Sequence, residues 1–386
     1  MRNVTELKRH RLVFSMLRPL CEIFVRWKFN YEFDSLKNVE GPYLLLPNHN
    51  LELDPVLVGV SAYDHVYFVA SEHLQRKGFV TKLLNYFIKP ISRQKGTSGA
   101  NTVAKILRTL RSGTSVCIFP EGNRSFNGAT GEILPATGKM ARRSGVKLVT
   151  YRLEGGYFTQ PRWSTTLRRG KIRGRLVKVY TPEELREMTD QQVNDAIIRD
   201  LYEDAYETQS KQMIAYKGKH LALGMESTVF ACPVCGSVGT LRSDDETLSC
   251  SCGYRAVYDA YGYLTTADGA KTTISDLDQK QRERVRQLLE NAGEEPLFHD
   301  KVTLQEIGED HALQASETGT LTAYVDHLNL CGREIPFSDL QGMAIYSRNV
   351  LVIYTISDNR HYELRGDVAF SALKYQYWYE IKREDG

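Results

Sequence analysis

Four short apolar runs within the first 151 residues restrict this part of the chain to one kind of fold. They are Tyr43-Leu44-Leu45-Leu46-Pro47, His65-Val66-Tyr67-Phe68-Val69-Ala70, Ser115-Val116-Cys117-Ile118-Phe119 and Val146-Lys147-Leu148-Val149-Thr150-Tyr151. Each has the length and composition of a strand, and a helical pattern runs from Thr102 to Arg111 between two of them. Strands alternating with helical segments imply an α/β domain whose site residues stand at strand ends. Arg169 to Tyr180 reads as a further strand. A helix begins at Thr181-Pro182-Glu183-Glu184, with Thr181 as N-cap and Pro182 at the first helical position, and is expected to continue beyond Tyr202.

The pattern changes near Gly218. Residues 228–264 hold four of the seven cysteines and many turn formers, and Ser275 to Asn291 reads as a charged helix capped by Ser275 or Asp276. From about Phe298 onward, short strands alternate with turns. Val350 to Tyr354 and Arg360 to Leu364 should pair as a hairpin, and Ala369 to Lys382 forms a closing aromatic-rich helix. At 386 residues, two or three domains are expected.

Charge divides the same way. Residues 1–200 carry 32 Lys and Arg against 18 Asp and Glu, whereas the remainder carries 18 against 29. No acid occurs from His73 to Pro120 or from Gly155 to Pro182. Only the first half therefore invites an anionic partner: a membrane surface, a phosphorylated substrate or nucleic acid.

The mean hydropathy of -0.38 argues against a polytopic membrane protein, and no run reaches the roughly 18 apolar residues of a spanning helix. Leu12, Val13, Met16, Leu17, Leu20, Ile23, Phe24 and Trp27 nevertheless recur at helical spacing, flanked by Arg9, Arg11, Arg18, Arg26 and Lys28. Residues 1–30 are thus expected to be an amphipathic helix, lying in a membrane interface or packed on its own domain. The sequence Leu12 to Phe24 is broken by Arg18, Pro19 and Glu22 and does not make a secretory signal. The odd cysteine count fits a reducing cytosol better than a disulfide framework.

Three blocks carry the chemistry. Asn48-His49-Asn50-Leu51-Glu52-Leu53-Asp54-Pro55 sets an imidazole and a carboxylate just after a strand, the pair needed to take a proton near neutral pH. Phe87-Ile88-Lys89-Pro90-Ile91-Ser92-Arg93-Gln94-Lys95-Gly96 and Ile118-Phe119-Pro120-Glu121-Gly122-Asn123-Arg124-Ser125 each place an Arg past an apolar run, where its planar fork suits a phosphate. Gly122 allows close backbone approach, and Glu121 is suited to orient Arg124 or a substrate hydroxyl.

In these three blocks the sequence resembles the glycerolipid acyltransferase family, over roughly residues 10–205. The resemblance implies a mixed-sheet acyltransferase domain at residues 31–217 that moves an acyl group from acyl-CoA or acyl-ACP to 1-acyl-glycerol-3-phosphate, giving phosphatidic acid. It implies His49 as general base and Asp54 as its orienting carboxylate. Arg93, Lys95, Glu121, Gly122, Arg124 and Ser125 would bind the acceptor, and no catalytic cofactor is needed. Leu51, Asn123 and the Pro-less segment 148–151 depart from the family pattern and bear on acceptor and acyl-chain preference. The implied setting is the cytoplasmic face of the cell membrane, with peripheral contact through the first helix. Another lysophospholipid or hydroxyl acceptor is the nearest alternative. Cys117, inside an apolar strand, reads as core.

Cys232-Pro233-Val234-Cys235-Gly236 and Cys250-Ser251-Cys252-Gly253 are two close pairs separated by fourteen residues. Such pairs match thiolate knuckles around one tetrahedral Zn²⁺, so residues 228–264 are expected to be a zinc ribbon with a structural metal. Residues 275–293 then form a linker helix. Residues 298–386, a small β-rich domain with a C-terminal helix, resemble a pleckstrin-homology-like domain. A zinc-ribbon nucleic-acid-binding protein is the distant alternative; the ribbon segment lacks the interleaved aromatics and dense Lys and Arg of such a surface, so no nucleic acid is expected.

Overall fold

The computed structural model describes residues 4–71, 90–93, 99–308 and 313–384. The chain divides into two compact units, Met1–Pro161 with Leu167–Lys217, and Arg162–Thr166 with Gly218–Gly386.

The first unit begins with α1 (Val4–Phe29), β1 (Glu32–Phe33), β2 (Tyr43–Pro47) and α2 (Asp54–Ala62). β3 (Val66–Ser71), β4 (Ile91–Arg93), α3 (Ala100–Arg111) and β5 (Ser115–Cys117) follow. Next come α4 (Ala136–Arg143), β6 (Lys147–Glu154), the single turn α5 (Gly156–Thr159) and β7 (Arg173–Tyr180). Helices α6 (Pro182–Glu187), α7 (Asp190–Leu201) and α8 (Ala205–Gln212) complete it. Its strands form one mixed sheet in the order β1-β7-β6-β2-β5-β3-β4, with β6, β2, β5, β3 and β4 mutually parallel and β7 antiparallel to β6.

Period-two alternation explains why both faces of this sheet are covered. Leu45 lies beside Cys117 and Val149, and all three point into a cluster with Val25 and Phe29 of α1 and Leu57 and Val58 of α2. Their neighbours Leu44, Val116 and Leu148 face the opposite cluster, with Ile106 and Leu110 of α3 and Val193 and Ile197 of α7. Cys117 is therefore a core residue, and burial holds its thiol well above the ordinary range. Because five strands are parallel, the loops after β2, β4, β5 and β6 all leave from one end of the sheet, where α/β proteins place their sites.

Two boundaries in this unit differ by more than a residue or two from the sequence expectation. The helix starting at Pro182 does not run on past Tyr202: Thr181 caps α6 as expected, but Met188 is extended and Thr189 starts α7 with its own capping box to Gln192. Two orphan backbone donors are satisfied at that break, which makes it favourable. The strand expected from Arg169 starts at Arg173, because the Arg169 backbone is paired with Lys217.

Helix α1 buries His10, Val25 and Phe29 and leaves its other face apolar and open, with Met16, Ile23 and Trp27 exposed by 64%, 68% and 68%. Of its basic flank, Arg18 is turned inward: Nε donates to Val60 O and the guanidinium meets Glu22 and the Tyr63 ring. Among the described residues no helix is long and apolar enough to cross a membrane.

In the second unit, β8 (Leu241–Ser243), β9 (Thr247–Cys250), β10 (Arg255–Tyr258), β11 (Leu264–Thr266) and β12 (Lys271–Thr272) make an antiparallel sheet. Helix α9 (Ile274–Glu290) is capped by Thr273 rather than Ser275 or Asp276; Asp276 is the partner in the capping box. A second antiparallel sheet contains β13 (Phe298–Ile307), β14 (Leu313–Ala323), β15 (His327–Leu330) and β16 (Arg333–Pro336). It is completed by β17 (Leu340–Tyr346), β18 (Val350–Thr355) and β19 (His361–Gly366). The expected hairpin is present, with Tyr354 opposite His361. Helix α10 (Ala372–Glu384) packs on α9, where Tyr377 donates to Asp278 at 2.7 Å and Arg282 pairs with Glu380 and Glu384.

Candidate functional site

The loop from β2 to α2 is wound around one oxygen. Asp54, the first residue of α2 and fully buried, accepts through Oδ2 from the backbone N–H of Asn50 (2.6 Å) and Leu51 (2.9 Å). The same atom lies 2.9 Å from His49 Nδ1. Against an ionised carboxylate, which only accepts, Nδ1 is the donor, and in the neutral ring the lone pair is then on Nε2. The helix N-terminus favours the negative charge.

The loop after β5 clasps the same histidine. Glu121 Oε1 accepts the His49 backbone N–H at 2.6 Å, Ser125 N–H donates to the His49 carbonyl at 3.0 Å, and the Phe119 ring stacks on the imidazole at 4.4 Å. Glu121 Oε2 accepts from Gly131 N–H at 2.7 Å, so both oxygens serve the backbone. The Ser125 hydroxyl donates to Ala129 O and accepts from Gly128 N–H. Burial lifts the Glu121 carboxyl to about 8, against the opposing pull of the Gly131 and His49 N–H groups.

Arg124 is buried to 8% exposure, and burial lowers its pKa while Glu52 and Asp54 support its charge. Nη2 meets Glu52 Oε1 at 3.3 Å and Nη1 donates to Gln160 Oε1 at 3.4 Å. Gly122 has φ +71, and Arg93 Nη1 lies 3.4 Å from where its Cβ would stand. His49, Asp54, Arg93, Glu121, Gly122, Arg124 and Ser125 are thus brought together. Lys95 lies outside the described residues.

Asn48 and Asn50 stand in the first block without an assigned role, and their partners carried no sequence signal. Asn48 exchanges both amide groups with Leu153, at 2.9 and 2.6 Å, and Asn50 donates to Leu153 O and Glu203. The buried Glu203 carboxyl is raised well above the ordinary range, first by burial and then by Glu154. The one local hint was the Gly155-Gly156 pair after β6: a Cβ on Gly156 would stand 2.8 Å from the Asn50 Cβ.

In the second unit, the Sγ atoms of Cys232, Cys235, Cys250 and Cys252 all lie within 4.8 Å of one another, a group able to hold a metal ion. The Cys232–Cys252 and Cys235–Cys250 separations are 3.6 and 3.9 Å. A disulfide needs about 2.05 Å. Four thiolates at ~2.3 Å from a tetrahedral Zn²⁺ would be about 3.8 Å apart, so the donor set fits that ion. The two knuckles match, each closed by a glycine N–H donating to the first cysteine of its pair: Gly236 to Cys232 O and Gly253 to Cys250 O.

Residues 28–154 match the family model described as Acyltransferase. The chain is also similar to the crystal structure of the 1-acyl-sn-glycerophosphate (LPA) acyltransferase, PlsC, from Thermotoga maritima. Identity is 16%, the match covers 55% of this chain and 84% of that one, and the TM-score is 0.45.

The Glu121 carboxyl yields a stability prediction. Its folded value near 8 lies above the ordinary 4.5, so its contribution is fully present below pH 4.5 and is lost as pH rises through about 8. Thermal unfolding from pH 6 to 9 should show falling stability. Glu121→Gln should flatten this slope without abolishing it, since Glu203 acts in the same direction; an unchanged slope would contradict an elevated Glu121.

Proposed function

We propose that the first unit transfers a fatty acyl group from acyl-CoA or acyl-ACP to the free hydroxyl of 1-acyl-glycerol-3-phosphate, giving phosphatidic acid. The observation that carries this reading is a histidine whose Nδ1 lies 2.9 Å from the buried Asp54 carboxylate, with Arg93 and Arg124 nearby, inside the span that matches the Acyltransferase family model. In the proposed reaction, Nε2 of His49 takes the hydroxyl proton as the oxygen bonds to the thioester carbon. The carbon–sulfur bond then breaks, and the departing thiolate takes that proton back. Arg93 and Arg124 hold the acceptor's phosphate so that its hydroxyl meets Nε2, and proximity of this kind replaces a bimolecular encounter. Attack is direct and uses no cysteine nucleophile. Base catalysis of this sort contributes about 10² to 10⁴-fold. His49→Ala should therefore cut thiol release from an acyl thioester and lysophosphatidic acid by that factor in a protein that still folds, and undiminished release would remove His49 from the role. Acceptors lacking a phosphomonoester test the alternative of another hydroxyl acceptor.

The working surface in this reading is the cytoplasmic face of the cell membrane, reached through α1. The exposed Leu12, Met16, Leu20, Ile23 and Trp27 support it. Burying such side chains stabilises by very roughly 1 kcal/mol each from half exposure. Ile23→Glu should weaken co-sedimentation with anionic phospholipid vesicles severalfold; equal binding by the variant argues for a helix that serves only its own domain.

Residues 228–264 are read as a zinc ribbon, with Cys232, Cys235, Cys250 and Cys252 binding one structural Zn²⁺, and 298–386 as a pleckstrin-homology-like domain. Four thiolates leave no open coordination position. Elemental analysis should find one zinc per chain, with Cys232→Ser losing it. Substantially less than one in the unmodified protein is the contrary result.

A further inference from the structure

The Asn-His-x4-Asp block contains an acid that the proposed proton transfer does not use. Glu52 lies in the loop between His49 and Asp54, and its side chain is 63% exposed, yet Oε1 reaches Arg124 Nη2 at 3.3 Å. The other arm of that guanidinium is held separately: Gln160 Oε1 accepts from Arg124 Nη1 at 3.4 Å and from the Glu52 backbone N–H at 3.3 Å. Arg124 is buried, whereas the Glu52 side chain lies largely in solvent, so an incoming anion can displace its carboxylate without unburying it. A guanidinium takes a phosphate through parallel N–H bonds, so phosphate and the Glu52 carboxylate contest the same donor.

We infer that Glu52 is a specificity-determining residue: its carboxylate occupies Arg124 until an acceptor's anionic head group displaces it. This rests on the reading of Arg124 as the acceptor's phosphate site. Gln160 keeps one arm of Arg124 aimed, so the negative charge of Glu52 is not needed to place it. The charge instead acts on the incoming group. It opposes a dianionic phosphomonoester most, a phosphodiester less, and an uncharged head group not at all. Glu52 thereby sets how strongly this basic site prefers phosphorylated acceptors.

The test compares the full-length protein with Glu52→Gln and Glu52→Ala, in thiol release with lysophosphatidic acid and in direct binding of glycerol 3-phosphate by calorimetry. An ion pair with one partner in solvent is weak, so KM for lysophosphatidic acid should fall roughly two- to fivefold in both variants, with kcat unchanged. Glycerol 3-phosphate should bind tighter by a similar factor, and the gain should shrink at high salt, where exposed charges are screened. Unchanged or raised KM, with unchanged or weaker glycerol 3-phosphate binding, overturns the inference and makes Glu52 a support for Arg124. If no protein releases thiol, the acyl-transfer reading fails. The binding arm still decides between competition, shown by tighter binding in the variants, and no competition, shown by equal or weaker binding.

Discussion

The site of the first unit depends on the buried Asp54 carboxylate. One of its oxygens collects two backbone N–H groups and the Nδ1 proton of His49, so the turn from β2 into α2 and the tautomer of the imidazole are decided by the same atom. Bonds to an ionised acceptor are about twice as strong as neutral ones. Glu121 and Ser125 then take the N–H and the carbonyl of His49 from the other side, and Phe119 covers the ring. The histidine is held by its backbone and its ring together.

Such pre-organisation has a cost in charge. Asp54, Glu121 and Glu203 are acids in one buried neighbourhood, and burial raises the latter two. The basic excess of the first half offsets part of this through Arg124, which is buried among acids rather than displayed on the surface.

Local chemistry was readable from the sequence, and long-range partnership was not. The alternation of Leu44, Leu45 and Leu46 announces a strand covered on both faces, and the cysteine knuckles announce their own turns, because each pattern closes within a few residues. Glu121 and Ser125 sit in the expected block, yet their described hydrogen bonds go to the protein backbone, His49 among their partners, some 70 residues away. Gln160 and Glu203 reach the loop from more than 100 residues off, and nothing in the spacing points to them. The break at Thr189 is different: its capping box with Gln192 is local and was legible, and the sequence reading ran one helix through it.

The most direct test of the account is Asp54→Asn, assayed for thiol release with its melting curve taken alongside. An amide in that position no longer compels Nδ1 to hold the proton, and the lone pair on Nε2 is no longer secured. In a folded variant kcat should fall about a hundredfold or more, with KM for lysophosphatidic acid little changed. A folded variant retaining kcat within a few fold of the parent would contradict it.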